Sequence, residues 1–159
     1  MSSDSKLRIP QASTVEWATP DWLFSLLHRE FRFTVDAAAS KEHHRLERYW
    51  TVQQNGLAQD WTGERVFCNP PYGAKELGAF ACKAWSSSCI AALVVPVKAD
   101  QGWWHDYALR SEIRFIKGRV SFGDADNCFP GPIAVLVFGT GRSGAYSLQT
   151  TQTEICGEG

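Results

Sequence analysis

Residues 69–72 read Asn-Pro-Pro-Tyr and directly follow the run Arg65-Val66-Phe67-Cys68. A strand that ends there delivers an amide, a rigid di-proline and an aromatic ring to one point on the edge of a sheet. Those parts suit a planar amine attached to a ring. The lone pair of such an amine is conjugated with its ring and is poorly nucleophilic. Acceptors on both N–H groups favour the geometry in which the lone pair points outward. The Asn69 side-chain oxygen can take one proton and the Pro70 carbonyl the other. Pro71 has no N–H and a fixed φ, so the turn is stiff and its acceptors are preorganised. Tyr72 can stack on the ring. The chemistry is methyl transfer to an exocyclic amine, with adenine N6 as the best fit. No strong base is required, because the amine loses its proton after attacking a sulfonium methyl group, and alignment does most of the work. Adenine N6 lies inside a duplex stack, so the base has to be flipped out. A Pro-Pro pair is more often just a turn; here its position between a strand and a helix favours the chemical reading.

The elements that must hold this motif follow from the hydrophobic pattern. Thr19-Pro20-Asp21 predicts a helix start over about 20–30, with Thr19 as cap and Trp22, Leu23, Leu26 and Leu27 at helical spacing. Phe31 to Asp36 alternates and predicts a strand, Ala37 to Tyr49 a partly helical segment, and Asn55-Gly56 a turn. Arg65 to Cys68 is the next strand. Leu77, Phe80, Ala81, Ala84 and Trp85 mark a helix face. Ile90 to Val97 and Ile133 to Phe138 read as fully buried strands. Between them lie a short helix over 103–110 and strands at 113–116 and 120–122. Strands alternating with helices predict an α/β fold with a parallel centre, and the helix-free final strands predict an antiparallel end.

Composition bounds the rest. The chain has 159 residues, 44% of them apolar and 21% charged, which is enough for one globular domain with a sizeable core. We read 1–13 as a flexible tail, 14–145 as a single domain and 146–159 as a polar tail. Net charge is −1, which argues against a general nucleic-acid coat protein but permits a local basic patch. Five cysteines with no C-x-x-C pair read as reduced thiols of a cytoplasmic protein, and no metal site is expected. No apolar run is long enough for a membrane span, and Met1 to Lys6 has no secretory core.

Several ordered segments together resemble the phage-type DNA N-6-adenine methyltransferases, a compact Dam-like family. The resemblance spans about 17–138. It rests on Trp17-Ala18-Thr19-Pro20, on Phe33 to Ser40 (a D-A-A-A-S stretch), on Asn55 to Trp61, and on Phe67 to Gly73. Lys117-Gly118-Arg119-Val120-Ser121-Phe122 and Phe129-Pro130-Gly131-Pro132 complete it. The resemblance implies a Rossmann-like S-adenosylmethionine-dependent methyltransferase fold, with S-adenosyl-L-methionine as donor and flipped-out adenine in duplex DNA as acceptor. It carries Asn69, Pro70, Pro71 and Tyr72 over as the catalytic motif. It places Trp17, Thr19, Pro20, Asp36 and Ala37 at the donor, with either Asn55 or Asp60 on the donor's adenine. The chain departs from the family in having Ala37-Ala38-Ala39 where a glycine-rich loop is expected, and His43 in place of an Asn. A phage or prophage origin in a bacterial cytoplasm is implied, with a role in restriction protection or epigenetic marking.

The window 110–119 holds Arg110, Arg114, Lys117 and Arg119 against one acid, Glu112. It predicts a phosphate-contacting edge through Arg114, Lys117 and Arg119, joined by Lys98 at a strand end. Phe122 or Phe129 would wall the flipped base, although core packing is the commoner fate of a Phe. Sequence readout would fall to loops 38–54 or 121–131. The alternatives are a protein-glutamine N5 methyltransferase and an inactive DNA-binding module. Oligomeric state stays open between a monomer and a weak dimer.

Overall fold

The computed structural model of the protein describes residues 18–122 and 128–148, together with the backbone of 155–156. The expected tail at 1–13, Trp17, and part of the 121–131 loop lie outside the described residues. Helix α1 (Asp21–Phe31) leads into β1 (Val35–Asp36), and β2 (Arg65–Cys68) into α2 (Ala74–Ser86). Strand β3 (Ile90–Pro96) is followed by α3 (Gly102–Asp106) and a 3-10 turn over Ala108–Arg110. The remaining strands are β4 (Glu112–Phe115), β5 (Arg119–Val120), β6 (Ile133–Phe138), β7 (Gly144–Ser147) and β8 (Ile155–Cys156).

Six strands form one sheet in the order β1-β2-β3-β6-β4-β7, and β5 pairs with β8 in a separate ribbon. Strands β1, β2 and β3 run parallel, whereas β6 is antiparallel to both β3 and β4. Strand β4 therefore points the same way as β3. The carboxyl ends of β1, β2, β3 and β4 share one edge, the edge at which ligands gather in open α/β sheets. The α/β expectation of a mostly parallel sheet with an antiparallel portion holds, but that portion is not an end: β6 lies inside the sheet, antiparallel to β3 and β4 on either side.

Alternation along the strands builds the core on both faces. Ala91, Leu93 and Val95 of β3 face α2 and α3, packing with Leu77, Phe80, Ala84 and Trp104. Ala92 and Val94 face α1, packing with Leu23, Leu27 and Phe31. Full burial of a side chain such as Leu23 or Leu27 contributes about 2 kcal/mol.

Four expectations change. The strand expected over 31–36 shrinks to Val35–Asp36, because Phe31 continues the 23, 27, 31 stripe of α1. Arg32 then ends that helix in the left-handed region, at φ 53°. Residues 37–49 form turns and bends rather than helix. Their backbone bonds go to the edge of β1, with Asp36 N–H donating to Arg48 O and Trp50 N–H to Asp36 O, while Ser40 Oγ takes the His43 N–H. Strand β7 carries the sheet past residue 145, where the polar tail was expected, by pairing in parallel with β4. Cys68, Cys82 and Cys89 are free thiols, but Cys128 is disulfide-bonded, against the expectation of reduced thiols throughout.

Candidate active site

Asn69 leaves the carboxyl end of β2, the strand beside β1 and β3. Its Nδ2 donates to Thr19 Oγ1 at 3.0 Å. Pro70 is buried and Pro71 exposed, so the di-proline turn passes from core to surface before α2 begins at Ala74. The Pro70 carbonyl lies in that turn, outside helix and strand.

Tyr72 folds back over the sheet edge. Its ring meets Phe129 edge-on at 5.4 Å and Phe122 edge-on at 6.3 Å, and these two rings pack on each other at 6.2 Å. The Tyr72 hydroxyl is buried and bonds no group among the described residues. Burial pushes the phenol well above its ordinary range, so it stays neutral. The two Phe rings set edge-on against it hold Tyr72 stiffly, and its side chain is half-buried.

Asp36 ends β1 one strand away and is only 3% exposed. Its Oδ2 accepts the Arg45 backbone N–H at 2.9 Å. Burial pushes its carboxyl up to about 6, only partly offset by the backbone N–H groups of Arg45 and Ala38. The guanidinium of Arg45 turns away from this carboxylate. It donates to the Thr19 carbonyl and to the Asp21 carboxylate, pinning the start of α1 against the loop that follows β1. Thr19 was expected to cap α1. Pro20 is the cap residue instead, with no side-chain cap bond, and the Thr19 hydroxyl is spent on Asn69.

Beside Asp36 opens a groove of about 1060 Å³ whose wall includes Ala39, Ser40, Tyr49, Trp50 and Val52. Asn55 lies close to it at φ 54° and caps a 3-10 turn by accepting the Leu57 N–H. The next residue must be glycine, because a Cβ at Gly56 would collide with the Ala37 carbonyl oxygen. Asp60 is placed differently. It accepts from Thr62 within its own turn, and these bonds hold its carboxyl below the ordinary range, with a smaller contribution from Lys83 in the last turn of α2.

The structure thus brings Thr19, Pro20, Asp36, Ala37, Asn69, Pro70 and Tyr72 to one edge. Lys98 and Lys117 follow the carboxyl ends of β3 and β4 at the same edge, Lys98 half-buried and Lys117 exposed, with Arg119 exposed just beyond. Arg114 is the exception among the expected phosphate contacts. It is buried in β4, with its guanidinium bonded twice to Glu30 and once, through Nε at 2.8 Å, to Glu112. A cation committed in this way is part of the fold. Phe122, at 1% exposure, supports Tyr72 from behind rather than forming an open wall. The sequence reading missed Arg45. Its partners Thr19 and Asp21 lie 26 and 24 residues away, and no local pattern reveals them.

This chain is similar to known proteins along most of its length. The family described as DNA N-6-adenine-methyltransferase (Dam) matches residues 6–131. A DNA N-6-adenine-methyltransferase of Haemophilus phage HP1 (strain HP1c1) is 36% identical, the match covering 67% of this chain and 65% of the phage protein. An Asn-Pro-Pro-Tyr turn at the carboxyl end of a parallel strand, with a buried acid on the neighbouring strand, agrees with that match: the chain belongs to the DNA N-6-adenine-methyltransferase (Dam) family.

Proposed function

We propose that this protein transfers a methyl group from S-adenosyl-L-methionine to N6 of an adenine flipped out of duplex DNA. The observation that carries this reading is the pairing of Asn69 with a Tyr72 ring braced by Phe122 and Phe129. A hydrogen-bonding amide beside a stiff aromatic face suits an amine attached to a flat ring. A glutamine amide, the other substrate class that this motif serves, has no ring to stack.

The residues present fit the donor. Asp36 is a buried carboxylate met by N–H dipoles but, among the described residues, by no guanidinium or ammonium in contact, which suits a ligand that brings its own positive charge. The adjoining groove supplies Trp50, Tyr49 and Val52 as apolar surface for a nucleoside, with Asn55 near its rim. When bound, the donor supplies an electrophilic methyl group on a sulfonium. Ala37-Ala38-Ala39 present small side chains in the loop beside Asp36, in place of a glycine-rich turn.

Asn69 Oδ1 and the Pro70 carbonyl accept hydrogen bonds from the two amine N–H groups and turn the nitrogen lone pair toward the donor. Their placement is fixed before the substrate arrives, so orientation costs little at the moment of reaction. Tyr72 holds the ring from its face, a stacking contact that contributes about 1–3 kcal/mol per base. Lys98, Lys117 and Arg119 supply phosphate contacts along the same edge. The test is transfer of a labelled methyl group to a mixture of DNA and protein acceptors. Label in the DNA supports the reading, and label confined to protein overturns it.

A further inference from the structure

We propose that Thr19 is a positioning residue for Asn69, holding the donating end of the amide so that its oxygen is presented to the target amine. This rests on the adenine methyltransferase reading above. It differs from the expectation that Thr19 serves the donor directly.

Asn69 Nδ2 donates to Thr19 Oγ1 at 3.0 Å across 50 residues of sequence. Thr19 is 3% exposed, and its hydroxyl is not used to cap α1. An amide has one accepting and one donating end, and its terminal torsion has two nearly equivalent settings. The target amine offers N–H groups to the motif, so only the setting with Oδ1 toward the amine is productive. The Nδ2 end then needs an acceptor. The Thr19 hydroxyl can donate or accept and supplies that acceptor. Its hydrogen bond also polarises the amide and strengthens Oδ1 as an acceptor. Arg45 keeps the hydroxyl in place by bonding the Thr19 carbonyl, with Asp21 as its second partner. Replacing Thr19 with Val removes this acceptor at nearly constant shape.

The cycle pairs Thr19→Val with Asn69→Asp, because a carboxylate accepts at both oxygens and has no end to orient. In the Asn69 protein, Thr19→Val is expected to lower kcat by about 10- to 100-fold, the range for a lost hydrogen bond in a buried site. Donor Kd, measured by calorimetry, is expected to change by less than about 3-fold. In the Asn69→Asp background the same substitution is expected to cost less than about 3-fold. Thr19→Ser restores the wild-type rate. A readout independent of turnover is the side-chain amide of Asn69 in nitrogen-15 spectra, assigned by its loss in Asn69→Asp. Its proton exchange accelerates in Thr19→Val and not in Thr19→Ser. Should Thr19→Val fail to fold, Arg45→Met leaves the hydroxyl, frees the Thr19 carbonyl, and gives the same pattern at smaller size. Equal losses in both backgrounds, or a donor Kd that rises in step with the loss of rate, overturn the proposal. If the wild-type protein makes no N6-methyladenine, the functional reading fails, and the amide exchange result still decides the role of Thr19.

Discussion

Two buried carboxylates on the same sheet are treated in opposite ways. Glu112, at the start of β4, accepts from Arg114 at 2.8 Å, and Arg114 also bonds Glu30 twice. Asp36, at the end of β1, is equally buried and among the described residues receives hydrogen bonds only from backbone N–H groups, while the guanidinium of Arg45 is committed to Thr19 and Asp21. The bonds from Arg114 hold Glu30 below the ordinary carboxylate range, whereas burial raises Asp36 to about 6. An acid neutralised from within closes a fold. On the proposed reading, an acid met mainly by backbone dipoles is poised for a cation from outside. On the proposed reading, the difference separates structural charge from ligand-binding charge more clearly than burial does.

The largest way to test that contrast is Arg114→Met. It leaves Glu112 buried without its cation, and we expect it to lower unfolding stability by about 3 kcal/mol, measured by denaturant titration. Donor affinity of the folded protein is expected to stay within about 2-fold, because this network does not touch the Asp36 edge.

Asp36→Asn should act the other way round. Losing the charge is expected to weaken donor binding by about 10- to 100-fold, the cost of a charge-assisted bond, measured by calorimetry. Its effect on stability has a definite sign. The folded-state pKa lies above the ordinary value of 3.8, so the folded protein holds this proton more tightly than the unfolded chain. Its contribution to stability is therefore lost as pH rises from about 4 through about 6. Relative to Asp36→Asn, wild-type stability should fall by about 2–3 kcal/mol across that window. Donor affinity of the wild type should rise over the same range as the carboxylate ionises. A difference curve that rises with pH, the sign of a lowered folded-state pKa, would place Asp36 with the internally neutralised acids.

The smallest effect concerns the basic residues. Lys117 and Arg119 are exposed, so Lys117→Ala and Arg119→Ala should each reduce the salt slope of DNA binding by about 1. Arg114→Met should leave that slope unchanged. A lower slope in the Arg114 variant would mean that its guanidinium leaves Glu30 to meet phosphate.

Regular elements were legible wherever one periodicity dominated. The runs Ile90 to Val97 and Ile133 to Phe138 are buried strands, and the apolar spacing from Leu77 to Ala84 is the inner face of α2. Legibility failed where the partner is distant in sequence. Arg114 looked like a phosphate ligand because the acid that binds it twice, Glu30, is 84 residues away. Residues 37–49 looked partly helical because their strand-edge partners at Asp36 and Trp50 are set by the tertiary fold. Thr19-Pro20-Asp21 has the composition of a helix cap, and a cap it partly is. Only the folded chain shows the Thr19 hydroxyl given to Asn69 instead. The Asn-Pro-Pro-Tyr turn was legible as a candidate motif because its four residues are contiguous and each has a chemical reason to be there.

The most direct measurement is nucleoside analysis by mass spectrometry of duplex DNA incubated with the protein and S-adenosyl-L-methionine. The account predicts N6-methyladenine with the wild-type protein and none with Asn69→Ala. Methylation absent from adenine, or unchanged in Asn69→Ala, would contradict it.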